Sequence, residues 1–417
     1  MRSGLPPGWQ LVRLDQLGSV ERGRSRHRPR NDPILYGGSY PFVQTGDIKA
    51  AGLRLFEYTQ TYSAAGLAQS RMWPAGTLCI TIAANICDTA ILGIPACFPD
   101  SIVGFTAAAG SSDPVFVKYA LDHAKQRFSN ISRGATQDNL SVEKLLSQPL
   151  PAAPLREQHR IASILSAYDD LIEVNRRRIA VLEEMARRLF EEWFVHFRFP
   201  GHRSLASMTA DHVPSGWAPS TLADACEMIG RGIAPAYDEG AATLVIGQKC
   251  IRDQRLSMGP ARPQLRPVPA EKLVRRGDVL VNSTGVGTLG RVAQVEDVPV
   301  GTTVDSHVTI ARPRSGLDHD FFGLALLRME AQFEQMGAGA TGQTELNRSR
   351  VAACEILLPV RQVQTEFGQR VRPFRALAYN LRQQCDRLSA SRDLLLPRLI
   401  SGDLPITTAE RDLEAVA

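Results

Sequence analysis

The sequence predicts an α+β fold. Two similar mixed α/β domains are joined and separated by two long antiparallel coiled-coil helices, which gives a pseudo-two-fold internal repeat. Three observations carry this. Short motifs recur: Gly8-Trp9 returns as Gly216-Trp217, Pro74-Ala75-Gly76-Thr77-Leu78-Cys79-Ile80 is echoed by Arg275-Arg276-Gly277-Asp278-Val279-Leu280-Val281, and Gly134-Ala135-Thr136-Gln137 by Gly339-Ala340-Thr341-Gly342-Gln343. Each copy then ends in a long segment with a heptad apolar pattern. At 417 residues the chain can also bury two separate cores and still spare helical material.

The first copy, residues 8 to 150, reads as strands at 42–48, 77–82, 90–94 and 101–105, followed by a helix over 115–128. Asp113 is placed to cap that helix, with Pro114 at its first position. The second copy repeats the order with strands at 243–246, 278–282, 290–295 and 304–310 and a helix over 318–336. Between the copies, Ile161, Leu165, Tyr168, Ile172, Asn175, Ile179, Leu182, Ala186, Leu189 and Trp193 advance in steps of four and three, the a/d spacing of a coiled-coil seam. A helix over 155–194 would run roughly 60 Å at 1.5 Å per residue. After the second copy Phe367, Val371, Phe374, Ala378, Leu381, Cys385, Leu388, Arg392, Leu395 and Leu399 use the same steps. Pro373 interrupts the first turns of this helix, so its regular part is expected to start there. Asn175 at a seam position either fixes register or meets solvent.

The chain carries 44 % hydrophobic and 22 % charged residues, values of a globular chain rather than a disordered one. A net charge of +5 permits nucleic-acid binding without requiring it. The seven cysteines form no CxxC pair and no Cys/His zinc spacing, so buried or free thiols in a reducing cytoplasm are expected. The opening residues lack an apolar signal region. The apolar stretch 78–98 reads as a β-hairpin rather than a membrane span, because its counterpart from residue 278 to 293 is too polar to cross a bilayer.

Catalytic patterns are missing. Gly285-Val286-Gly287-Thr288-Leu289-Gly290 is a literal GxGxxG, but the alternating residues after it read as a strand, not the helix that a dinucleotide needs. There is no P-loop lysine motif and no His-Glu-x-x-His, and the histidines are scattered. The candidate contact groups are loops. Residues 21–30 hold five arginines in ten positions, Arg24, Arg26, Arg28 and Arg30 among them, suited to phosphates and guanine edges or else a mobile basic surface loop. Arg133, Gln137 and Asn139 in the first copy match Gln343, Asn347 and Arg348 in the second; these amides either pair with adenine or cap the helix that follows. Arg231 and the strand end Asn282-Ser283-Thr284 complete the set.

The chain resembles the specificity subunits of type I restriction-modification systems. The similarity rests on Leu150-Pro151-Ala152-Ala153-Pro154-Leu155-Arg156-Glu157-Gln158-His159-Arg160-Ile161, on Leu189-Phe190-Glu191-Glu192-Trp193-Phe194-Val195-His196-Phe197, on Leu395-Leu396-Pro397-Arg398-Leu399-Ile400-Ser401-Gly402-Asp403-Leu404 and on the two Gly-Trp openings. Arg361-Gln362-Val363-Gln364-Thr365 departs from the pattern, with no Glu-Gln pair at the second helix entry. The resemblance implies target-recognition domains at 1–150 and 201–358, conserved helices at 151–200 and 359–404, and a tail at 405–417. It implies a non-catalytic cytoplasmic subunit in which each domain reads half of a split site in double-stranded DNA. The helices would set the spacing and dock two methyltransferase subunits, with restriction/translocase subunits joining them. The chain itself would bind no cofactor; S-adenosylmethionine, ATP and Mg would belong to the partners. A stand-alone methyltransferase or nuclease and a coiled-coil scaffold are the alternatives.

Overall fold

The computed structural model describes residues 5–133, 139–201, 213–337 and 345–414. The chain forms two compact units, residues 1–177 with 381–417 and residues 178–380, so that each globular part takes half of each long helix.

In the first unit four strands, β1 (Gly18–Arg22), β2 (Leu78–Thr81), β3 (Thr89–Leu92) and β4 (Ile102–Ala107), form an antiparallel sheet in the order β1-β4-β2-β3. Arg54–Leu55 extends it in parallel beyond β3. The second unit builds β5 (Cys226–Arg231), β6 (Val279–Asn282), β7 (Val292–Gln294) and β8 (Val308–Pro313) into a sheet of the same order, β5-β8-β6-β7. β2 and β6 are buried at every position, as expected of central strands covered on both faces. A short strand at the start of each copy pairs with one just before the long helix: Gln10–Val12 with Leu150–Ala152, and Ala218–Thr221 with Glu355–Leu358. Each unit is thereby closed onto its own helical base.

Several sequence expectations shift. Residues 42–48 are not one strand, because a helix begins at Thr45 once Asp47 accepts the Gln44 N–H. The run 304–310 divides into Thr303–Val304 and β8, and the helix expected over 318–336 divides at Met329 into His319–Arg328 and Glu330–Gly337. The glycine-rich run does link β6 to β7, with positive φ at Gly285, Gly287 and Gly290. Asp113 caps the helix Pro114–Arg133 by accepting from the Val115 and Phe116 N–H groups.

The long helices are Leu155–Phe194 and Arg361–Ile400, 40 residues each. Pro373 does not start the second one. It lies inside it on an exposed turn, where water can satisfy the carbonyl that loses its donor while Phe367, Val371 and Ala378 stay buried. The helices run antiparallel in each unit: Asp169, Ile172 and Asn175 meet Arg392, Cys385 and Gln384, and Phe190 and Trp193 meet Phe367. Ile161, Leu165, Ile172, Ile179, Phe367 and Leu381 are buried; Leu182, Leu189, Phe374, Leu388 and Leu395 are half-buried. Asn175 is 1 % exposed, with its amide 3.5 Å from Gln384, so the polar seam residue faces the partner helix rather than solvent. Arg392 is held by Asp169, which also accepts from Tyr119 Oη at 2.6 Å. The last helix, Ile406–Glu414, is fastened to the first by a bidentate Arg160–Glu410 pair at 2.8 and 2.6 Å.

The helix entries show both the repeat and its flaw. Gln158 accepts from the Asp113 N–H at 3.0 Å and donates to Ala153 O at 2.8 Å. Gln364 does the same with Asp318 at 3.2 Å and Pro359 O at 2.7 Å. The preceding residues differ. Glu157 accepts the Trp9 indole N–H at 2.8 Å, whereas Val363 stands in the matching place and the buried Trp217 Nε1 has no hydrogen-bond partner among the described residues. A buried donor left so costs about 1–3 kcal/mol.

Candidate nucleic-acid interface

Both sheets end the same way. In the first unit Arg22 closes β1 opposite Val103, the Ile82 N–H donates to Ser101 O at 3.0 Å, and the Leu140 N–H donates to Ile82 O at 2.9 Å. In the second unit Arg231 closes β5 opposite Thr309, the Ser283 N–H donates to His307 O and the Leu346 N–H to Ser283 O, both at 2.8 Å. The ladders thus equate Arg22 with Arg231, Ala83 with Thr284, Ser101 with His307 and Asn139 with Glu345. A glycine follows each arginine. A Cβ on Gly23 would lie 2.3 Å from Pro99 O, and one on Gly232 1.8 Å from Val304 O, so only glycine lets the chain cross there.

At this end of the first unit the arginine loop leaves the sheet. Gln69 Oε1 accepts the Arg26 and His27 N–H groups at 2.6 and 3.1 Å, and the Ser70 hydroxyl donates to Arg24 O at 2.9 Å. The loop backbone is therefore pinned while its arginine side chains stay exposed. Arg28 folds back onto Ser25 O and His27 O at 2.7 and 2.8 Å, and Arg30 pairs with Asp100 at 2.7 Å. Arg24 and Arg26 make no side-chain hydrogen bond or ion pair among the described residues. They are the two uncommitted cations of the loop.

The second unit has a different surface in the same place. Arg231 is tied to Glu345 at 2.5 Å and donates to Leu346 O at 3.2 Å. Gln248 Nε2 donates to Thr284 Oγ1 at 2.7 Å, and that hydroxyl lies 2.9 Å from His307 Nδ1. Asp305 Oδ1 accepts the His307 N–H at 2.8 Å. Burial pushes the Asp305 carboxyl above its ordinary range, against the pull of the N–H groups it accepts from.

The residues singled out in the sequence separate accordingly. Arg24, Arg26, Arg28, Arg30, Asn139 and Arg348 are exposed. Asn282 and Ser283 are fully buried, the first donating to Gln248 O at 3.2 Å and the second paired with Thr309 at 2.6 Å, so burial removes both from any contact surface. Thr284 is committed to Gln248 and His307, and Arg231 to Glu345. Asn347 caps its helix through the Ser349 N–H at 3.0 Å, the second of the two roles open to it. Gln137, Gln343 and the Arg133 side chain lie outside the described residues. Sequence reasoning missed Gln69, Gln248, His307 and Glu345. It also missed the repeated Arg-Gly at 22–23 and 231–232, a signal that was available.

Among the described residues no group of three or more His, Cys, Asp or Glu side chains could hold a metal ion, and no helix is long and apolar enough to cross a membrane. All seven cysteines are buried thiols; burial pushes Cys226 up to about 12 and raises Cys354 and Cys385 as well, which suppresses their nucleophilic thiolates.

Residues 6–184 match the type I restriction modification DNA specificity domain. The sequence is 24 % identical to the type I restriction enzyme MjaIX specificity subunit of Methanocaldococcus jannaschii over 96 % of this chain and 95 % of that one. It is 22 % identical to the HindI specificity subunit of Haemophilus influenzae, over 66 % and 72 % of the two chains. The fold is similar to the crystal structure of the type I restriction-modification S subunit from M. genitalium, with a TM-score of 0.61 at 15 % identity over 96 % and 97 % of the chains.

Proposed function

From the similarity of this chain to type I restriction-modification specificity subunits, we propose that it is a subunit of that kind and that residues 1–150 and 201–358 each read one half of a bipartite site in duplex DNA. One observation carries this: the two units share a four-strand order and the same sheet-end geometry, yet place different side chains there. A common scaffold with divergent tips suits two related but non-identical half-sites. The chain supplies recognition and not catalysis.

In this proposal the conserved helices at 151–200 and 359–404 set the unread gap and dock two methyltransferase subunits, with restriction/translocase subunits completing the complex in the cytoplasm. S-adenosylmethionine, ATP and Mg belong to those subunits. A net charge of +5 is modest for a free duplex binder, so part of the phosphate neutralisation falls to the partners.

Exchanging residues 201–358 for the matching segment of a relative should alter one half of the methylated sequence only, read by methylome mapping of cells that carry the complex. A change in both halves would sink the modular reading. The spacing role has its own test. Because the helices are paired antiparallel, matched four-residue insertions are needed, one after Arg177 and one after Asn380. Each adds about 6 Å and little more than one turn, which keeps the seam nearly aligned. The gap should lengthen by one to two base pairs at about 3.4 Å each. An active variant with an unchanged gap would refute the ruler.

A further inference from the structure

The relay that holds His307 in the second unit has no counterpart in the first, where Ala83 and Ser101 occupy the same two places. Its bonding order favours one tautomer. The Thr284 hydroxyl already accepts from Gln248 Nε2, and it has a single proton to give. His307 Nδ1, 2.9 Å away, is placed to accept that proton. The neutral imidazole then carries its own proton on Nε2, the atom away from the relay. The backbone is held as well, its N–H by Asp305 and its carbonyl by the Ser283 N–H. Yet His307 is exposed, and the tip of the adjoining glycine loop, Val286, is 97 % exposed. An exposed ring that turns its Nε2 away from the relay is organised for a partner outside the chain.

We propose that His307 is a base-reading residue of the second unit, its Nε2–H donating to an acceptor on a purine edge in the major groove, N7 or guanine O6. Gln248 and Thr284 act through it as positioning residues. Charge separates a base edge from a phosphate as the target. Arg231 is neutralised by Glu345, which sits beside Leu346 at the same sheet end, so the surroundings favour a neutral acceptor over an anion. This inference rests on the DNA-reading proposal.

The test uses the full chain co-expressed with its methyltransferase subunits in a methylation-free host. His307→Ala should reduce discrimination at one base pair of one half-site by about tenfold, in keeping with the cost of a single mismatched pair. The other half-site and the melting temperature should not change. Thr284→Val should blur the same position less, and His307→Gln, which keeps an outward donor, should retain part of it. Nitrogen-15 NMR of the free chain should show that the neutral ring carries its proton on Nε2 and not on Nδ1, with Thr284→Val altering the Nδ1 signal. Full fidelity in His307→Ala, or a proton on Nδ1, would overturn the inference. If the 201–358 exchange changes one half-site while His307→Ala changes nothing, this inference alone fails; if the exchange changes neither half, both fail.

Discussion

Replacing Asp278 with alanine is expected to destabilise the second unit by about 3–5 kcal/mol, the usual cost of stranding one partner of a buried ion pair. Asp278, just before β6, and Arg312, on the neighbouring β8, have side chains 1 % and 5 % exposed and are joined by two bonds of 2.8 Å. Arg312 also donates to Glu271 O and Leu273 O at 3.0 and 2.6 Å, so it cannot swing out to water without abandoning both. The Asp278 hydrogen bonds hold the Arg312 guanidinium above its ordinary value, and without them the intrinsic basicity of arginine still keeps it charged at neutral pH. The first unit shows that the position can be neutral: the ladder equates Asp278 with Thr77, which instead donates to Pro74 O at 2.8 Å, and Arg312 with Thr106. Asp278→Thr combined with Arg312→Thr should therefore cost clearly less than the sum of the single changes. Thermal unfolding should show a fall on the order of 10 °C for Asp278→Ala. A loss under 1 kcal/mol, or strict additivity of the pair, would contradict the account.

Phe367→Ala is expected to cost about 3–5 kcal/mol through cavity formation alone. Phe367 is fully buried, with ring centroids 5.9, 5.6 and 4.8 Å from Phe190, Trp193 and Phe194. Phe321 packs on Phe190 and Phe194, so the globular part of the unit and both helix segments share one aromatic core. The cavity would open where the helices are anchored, and hydrogen exchange should rise along Phe190–Phe194 as well as near residue 367. Phe367→Leu, which retains most of the volume, should lose much less. Equal losses for alanine and leucine would show that packing at this position is not what holds the helices.

Sheet-end contacts were far less legible in the sequence than the helices were. Asn282, Ser283 and Thr284 carry side chains suited to base edges, and nothing local marks the first two as buried. Their burial follows from pairing with residues far along the chain: Ser283 with Thr309, Asn282 with Gln248. His307 reads as one more scattered histidine until the strands align it with Thr284. The arginine loop was visible as a charge run, but which arginines remain uncommitted depends on Asp100 and on the folded course of the loop itself.

The sequence by itself determined the two-copy plan and the two long helices, because heptad spacing and repeated motifs are properties of the chain read along its own length. It also marked the β2–β3 and β6–β7 hairpins and the Asp113 cap, which need only near neighbours. Tertiary structure alone decided that Pro373 lies within a continuous helix, because the buried residues on either side of it keep that helix running. It alone decided that Trp217 loses the bond that Trp9 keeps, and that at the second sheet end His307 is accessible while Asn282 is buried. These outcomes turn on which distant segment covers each side chain, and burial of that kind is set by the whole fold rather than by any stretch of sequence.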